Sequence, residues 1–116
     1  MNLKLIVALT ADEKTEAIVS AARAAGATGA TVITACRGEG LKPEKSFLGL
    51  DLTAQRDVVL FLVAEPKARQ ILEAIADAVH LDDEPGAGIA FQLGIEDAVG
   101  LRTQEAAILC EIEDSV

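Results

Sequence analysis

Apolar residues in this chain fall into short blocks separated by polar, glycine- or proline-bearing stretches. Leu3–Leu9 (LKLIVAL) is the first block and predicts a strand. Thr10-Ala11-Asp12-Glu13 follows with the spacing of a capping box, in which the threonine hydroxyl accepts from the Glu13 N–H and the glutamate reaches back. A helix then runs to about Ala25. Its apolar residues Ala17, Ile18, Ala21, Ala22 and Ala25 form one stripe, and Gly26 ends it. Thr31–Cys36 (TVITAC) is β-branched and predicts a second strand. From Arg37 to about Arg56 the pattern dissolves, with Pro43 and Gly49 inside. An unpatterned stretch of this length in a small domain is usually functional or mobile. Val58–Ala64 (VVLFLVA) is apolar at every position, as expected of a strand covered on both faces. Pro66 suits the first turn of a second helix, Lys67 to Val79, striped by Ile71, Leu72, Ile75, Ala78 and Val79. Gly88–Leu93 (GIAFQL) predicts a fourth strand. Ile95–Val99 reads as a bend and Gly100–Thr103 as a small edge strand. The tail, 104–116, fits a helix or a strand.

The order β-α-β, loop, β-α-β is the ferredoxin-like, split βαβ pattern: an α+β sandwich with two helices on one face of a four-stranded antiparallel sheet. The opposite sheet face is then left open. A third strand with no polar side to offer there predicts association between copies, because an exposed apolar patch of that size is unusual on a monomer.

At 116 residues the chain fits one domain, 1–116. Half of it is hydrophobic, yet it holds three Phe and no Tyr or Trp, so the core is aliphatic. The formal net charge of −9 argues against nucleic acid and against anionic membrane surfaces as partners. The longest apolar run, Val58–Ala64, is far short of a membrane span. No signal peptide is evident, and the cytoplasm is the expected compartment. Cys36 and Cys110 make no framework and read as reduced thiols, one in a buried strand. No Ser-His-Asp, Cys-His or paired-carboxylate arrangement emerges, so no enzymatic activity is expected. Asp82-Asp83-Glu84 reads as a solvated turn rather than a metal site, and His80 as a helix-end cation.

Three ordered stretches resemble the PII signalling protein family, and most closely its divergent, short-loop PII-like branch. They are Gly29-Ala30-Thr31-Val32, Gly38-Glu39-Gly40 opening the long loop, and Gly86-Ala87-Gly88-Ile89-Ala90-Phe91. Glu96-Asp97-Ala98-Val99 and Arg102-Thr103 follow the last. The resemblance spans residue 3 to about 104. It implies homotrimers with the open sheet faces turned inward, and an adenine nucleotide (ADP, AMP or ATP) bound between subunits. It also implies a long loop that regulates a partner, such as a membrane transporter or a metabolic enzyme. Carried over by position, the nucleotide-binding residues are Thr31, Arg37, Gly38, Glu39, Gly40, Val63, Gly86, Ala87, Gly88, Phe91 and Arg102. Glycines suit such a site because backbone N–H groups can then approach an anion. Within the loop, Phe47, Leu48 and Leu50 are the candidate partner-docking residues.

Departures from the family pattern sharpen the expectation. Asp57 and Val59 stand where typical members have lysines, and Phe61 where they have a glutamate. Ile89 replaces a further lysine and Gly100 an arginine. With these cations gone, ADP or AMP is expected over ATP, with Mg²⁺ left open, because charge-assisted contacts are the strong ones for phosphate. Without a lysine at position 57, no response to 2-oxoglutarate is expected. Two alternatives stand beside this reading. One is a trimeric interaction module with a degenerate nucleotide site. The other is a divalent-cation-binding trimer of the same fold, with its site near Asp82, Asp83 and Glu84.

Overall fold

The computed structural model describes residues 2–36, 46–47, 50–51, 56–84 and 87–101. Strand β1 (Leu3–Ala11) leads through one 3-10 turn, Asp12–Lys14, into helix α1 (Thr15–Ala24). Strand β2 (Thr31–Cys36) follows. After the long connection come strand β3 (Arg56–Ala64), helix α2 (Glu65–Val79) and strand β4 (Gly88–Gly94). The sheet order is β2-β3-β1-β4, antiparallel throughout. This is the ferredoxin-like order expected from the sequence. Within the long connection, Ser46–Phe47 pairs with Leu50–Asp51 as a two-residue ladder.

Both helices lie on one face. Ile18 and Ala22 of α1, and Ile71, Ile75 and Val79 of α2, share a buried cluster with Ile6, Ala8, Val59, Phe61 and Val63 of the sheet. The strand residues alternate, as a period of two requires. Burying an aliphatic or phenylalanine side chain of this kind is worth about 1.5–3 kcal/mol. Gly26, at φ 119, closes α1, and Ala27 donates to the Ala22 carbonyl at 2.9 Å, the long bond of a Schellman end.

Several expectations are corrected. The capping box does not form: β1 continues to Ala11, and no side chain caps the turn that follows. Pairing holds Thr10 extended between Asp57 and Gly88, which aims its hydroxyl into the fold and away from Glu13. The β3 strand is not covered on both faces within one chain. Asp57, Val59, Phe61 and Val63 are buried under the helices, whereas Val58, Leu60 and Leu62 on the other face remain half-buried. Helix α2 begins at Glu65, with Pro66 in its first turn. Cys36 ends an exposed edge strand rather than a buried one, and it is a free thiol. Gly100 and Leu101 belong to no strand. The remainder of that predicted strand, and the tail with Cys110, lie outside the described residues.

Candidate functional site

Strand register brings the ends of both glycine-bearing loops to one end of the sheet. Cys36, where β2 ends, lies opposite Arg56, where β3 begins, and Arg56 also faces Ala11. One step inward, Thr10 stands between Asp57 and Gly88. The long loop and the loop before β4 therefore leave the same end of the sheet, with β1 between them. Arg37, Gly38, Glu39, Gly40, Gly86, Leu48 and Arg102 themselves lie outside the described residues. Phe47 and Leu50 are placed only by the backbone of the small ladder. A register shift lies between Ile33 and Cys36, with Ala35 at φ 57, so β2 bends where it meets the long loop.

The β1–α1 junction ties these loop ends together. Thr15 donates its hydroxyl to the Asp57 carboxylate at 2.6 Å, both residues buried. Helix α1 has no side-chain cap of its own, and Thr15 is its first residue. The carboxylate thus sits at the positive end of the helix, which offsets part of its burial cost. A lysine at position 57 would bring like charge to that end. Thr10, fully buried, donates to the Ala87 carbonyl at 3.2 Å. Lys14 donates to the Val79 carbonyl at 3.4 Å and to the Glu84 carboxylate at 2.6 Å. That hydrogen bond and the Lys14 charge hold the Glu84 carboxyl below its ordinary pKa.

Gly88 is required on two counts. Its φ is +135, and a Cβ there would come within 2.2 Å of the Leu9 carbonyl oxygen. Ala87 beside it is buried. Close packing against β1 thus demands this glycine whether or not a ligand is bound.

Other predicted positions lie elsewhere. Thr31, Leu60, Val7 and Phe91 form one row across the open face, with Thr31 and Phe91 on opposite edge strands. Val63 is 3% exposed beneath the helices, which leaves only its backbone for any ligand contact. Leu101, the last described residue, packs with Ile95 and Leu62 around Leu3 and Ala64 at the other end of the sheet. Strand geometry puts that end about 25 Å from Thr10 and Asp57. A groove of about 460 Å³ runs between α2 and β4, over Leu72, Ala76 and Leu81. Its rim carries Glu73, Asp77 and Asp82, and Arg69 is engaged by Glu73 at 2.9 Å. This acidic lining is unsuited to phosphate.

Apart from Thr31 on the β2 edge, the open face is largely apolar. Leu5, Val7, Leu9, Val58, Leu60 and Leu62 line its centre, and Ile33, Ile89, Phe91 and Leu93 its exposed margins. Among the described residues no three His, Cys, Asp or Glu side chains converge as metal ligands, and no helix is long and apolar enough to cross a membrane.

Sequence reasoning missed the contacts of Thr10, Thr15 and Lys14. Thr10 carried a readable signal. It continues the inward alternation of Ile6 and Ala8, so a polar group at that position needs a buried partner.

This is a ferredoxin-like sandwich with paired glycine-bearing loops at one sheet end. The profile of the family described as nitrogen regulatory protein P-II matches residues 3–105, and the chain belongs to that family. Its fold is similar to that of a PII-like signaling protein from Thermus thermophilus. The TM-score is 0.61 at 23% identity, covering 82% of this chain and 88% of the other. Comparison with curated proteins gave no match.

Proposed function

We propose that the protein is a cytoplasmic, homotrimeric regulator that senses an adenine nucleotide between subunits and passes the signal to a partner through loop 37–56. The observation that carries this reading is the convergence of the two loop ends, Cys36 with Arg56 and Ala87 with Gly88, at one end of the sheet. The opposite placement of Leu101 supports an intersubunit site. Leu101, the last described residue before Arg102, is anchored at the far end, which favours an Arg102 contributed by a neighbouring copy. The apolar open face supports a trimer, since such a surface is normally covered.

In this reading, backbone N–H groups around Gly38, Gly40, Gly86 and Gly88 meet the phosphates, with Arg37 and Arg102 as the cations. Thr31, Glu39, the Val63 backbone, Ala87 and Phe91, drawn from more than one copy, complete the surroundings. ADP or AMP is held better than ATP. Asp57 is occupied by Thr15 at the helix end, which supports the absence of a 2-oxoglutarate response. Phe47, Leu48 and Leu50 dock on the partner, a membrane transporter or a metabolic enzyme. The divalent-cation alternative loses support, because Glu84 already holds Lys14.

Calorimetric titration with ATP, ADP, AMP and cyclic AMP, with and without Mg²⁺, tests the reading. The expected result is saturable binding of ADP or AMP at one site per chain, weakened by Arg102→Ala. A folded trimer that binds none of the four is an interaction module with a degenerate site instead.

A further inference from the structure

The β1–α1 junction makes three kinds of polar contact, and all reach the ends of the two loops. Thr15 holds Asp57, the second residue of β3 beyond the long loop. Thr10 holds the carbonyl of Ala87, immediately before β4. Lys14 holds Glu84 and the end of α2, which lead into the same loop. Thr10 and Asp57 are also direct partners across β1 and β3, and Thr10 faces Gly88 on its other side. A row, Asp57–Thr10–Gly88, buried at Asp57 and Thr10, thus crosses three strands just below the point where both loops depart. Thr10 is 0% exposed and Asp57 6%, beside a core cluster built from apolar side chains. Neither residue is demanded by the fold. A valine fills the volume of a threonine, and an apolar residue at position 57 would continue the inward pattern of Val59, Phe61 and Val63. Well-packed apolar substitutes for buried polar pairs are often neutral or stabilising. What the polar pair adds is direction: each hydrogen bond fixes one loop end against the same short segment, Thr10–Thr15.

We infer that Thr10 and Asp57 are positioning residues, which set the spacing of the two loop ends for the nucleotide without touching it. The inference rests on the nucleotide reading above and deepens it. A binding surface built from two separate loops needs both held in one geometry before the ligand arrives, and such preorganisation lowers the cost of binding.

The test compares ADP affinity with thermal stability, both measured on the intact trimer. The variants are Thr10→Val, Thr10→Ser, Thr15→Val and Asp57→Asn, with Ile75→Val as a core control remote from the loops. Removing either hydrogen bond, by Thr10→Val or Thr15→Val, is expected to weaken ADP about five- to tenfold, the size of one lost interaction. Asp57→Asn falls in the same direction. Thr10→Ser, which keeps the hydroxyl, binds ADP within about twofold of the unaltered protein. Ile75→Val lowers the melting temperature and leaves the affinity unchanged. Should Thr10→Val fail to fold, Thr15→Val and Asp57→Asn carry the comparison. The inference is overturned if these variants melt earlier yet bind ADP as the unaltered protein does, since the contacts then serve stability alone. If the unaltered protein itself binds no adenine nucleotide, the underlying reading fails first, and that outcome is recognised before any variant is made.

Discussion

The two faces of the sheet are built from the same residue types and meet different fates. Under the helices, Ile6, Val59, Phe61 and Val63 are closed off by Ile18, Ile71 and Ile75. On the other side, Val7, Leu60 and Phe91, in a row that ends on Thr31, are apolar residues that nothing among the described residues covers. The closed face shows what one chain can satisfy by itself. The open face shows what it cannot, because aliphatic side chains left against water cost about 25 cal/mol for each Å² exposed. Phe61 and Leu60 are neighbours in β3, so a single step along the strand passes from one regime to the other.

That adjacency allows the two faces to be perturbed separately. Phe61→Ala should remove about 3–5 kcal/mol of stability, as for other large core truncations. Chemical denaturation should register that loss at low and high protein concentration alike. Gly88→Ala combines a positive φ with an overlap on the Leu9 carbonyl, and should cost about 3 kcal/mol. Its melting curve should fall toward that of Phe61→Ala, although only a methyl group has been added. An unaffected melting temperature would mean that β4 can shift away from β1. Leu60→Asp should cost the single chain much less, since the side chain is partly exposed there. It should instead separate the copies, seen as a fall in mass by light scattering with the circular dichroism spectrum retained. If Leu60→Asp unfolds the chain, the two faces are not independent.

The smallest effect belongs to the surface pair Lys14–Glu84. Glu84 has a folded pKa below its ordinary value, so its contribution is fully present above that ordinary value. It is lost as the pH falls through the folded value. Glu84→Gln should therefore leave a slightly flatter acid limb in a plot of melting temperature against pH, and little change at neutral pH. An unchanged acid limb would show that solvent screens the pair completely.

The fold was readable because its main signals are local. Short apolar or β-branched strand blocks, striped helices and a terminating Gly26 each act over a few residues, and together they define the split βαβ order. The open face was readable too, from the lack of any polar side in Val58–Ala64. Misreadings arose where distant partners outweighed local preference. Thr10-Ala11-Asp12-Glu13 has the spacing of a capping box, yet pairing with Asp57 and Gly88 keeps Thr10 in the strand. Asp57 was legible only as a missing lysine. Its use at the start of α1 depends on Thr15, which is 42 positions away in the chain. Of the site itself, Gly88 proved necessary for a reason the sequence does not display, the approach of the Leu9 carbonyl.

The proposed nucleotide site exists only between copies, joined through the open face. The chain has no Trp or Tyr, so it barely absorbs at the wavelengths where adenine does, and bound nucleotide can be followed directly. Sedimentation velocity with ADP present, read by interference for protein and by absorbance at the adenine band, tests that claim. The predicted result is one boundary at three times the 12.1 kDa of a single chain, carrying adenine absorbance with it. A boundary at the mass of one chain, or a three-chain boundary that leaves the adenine behind, would contradict it.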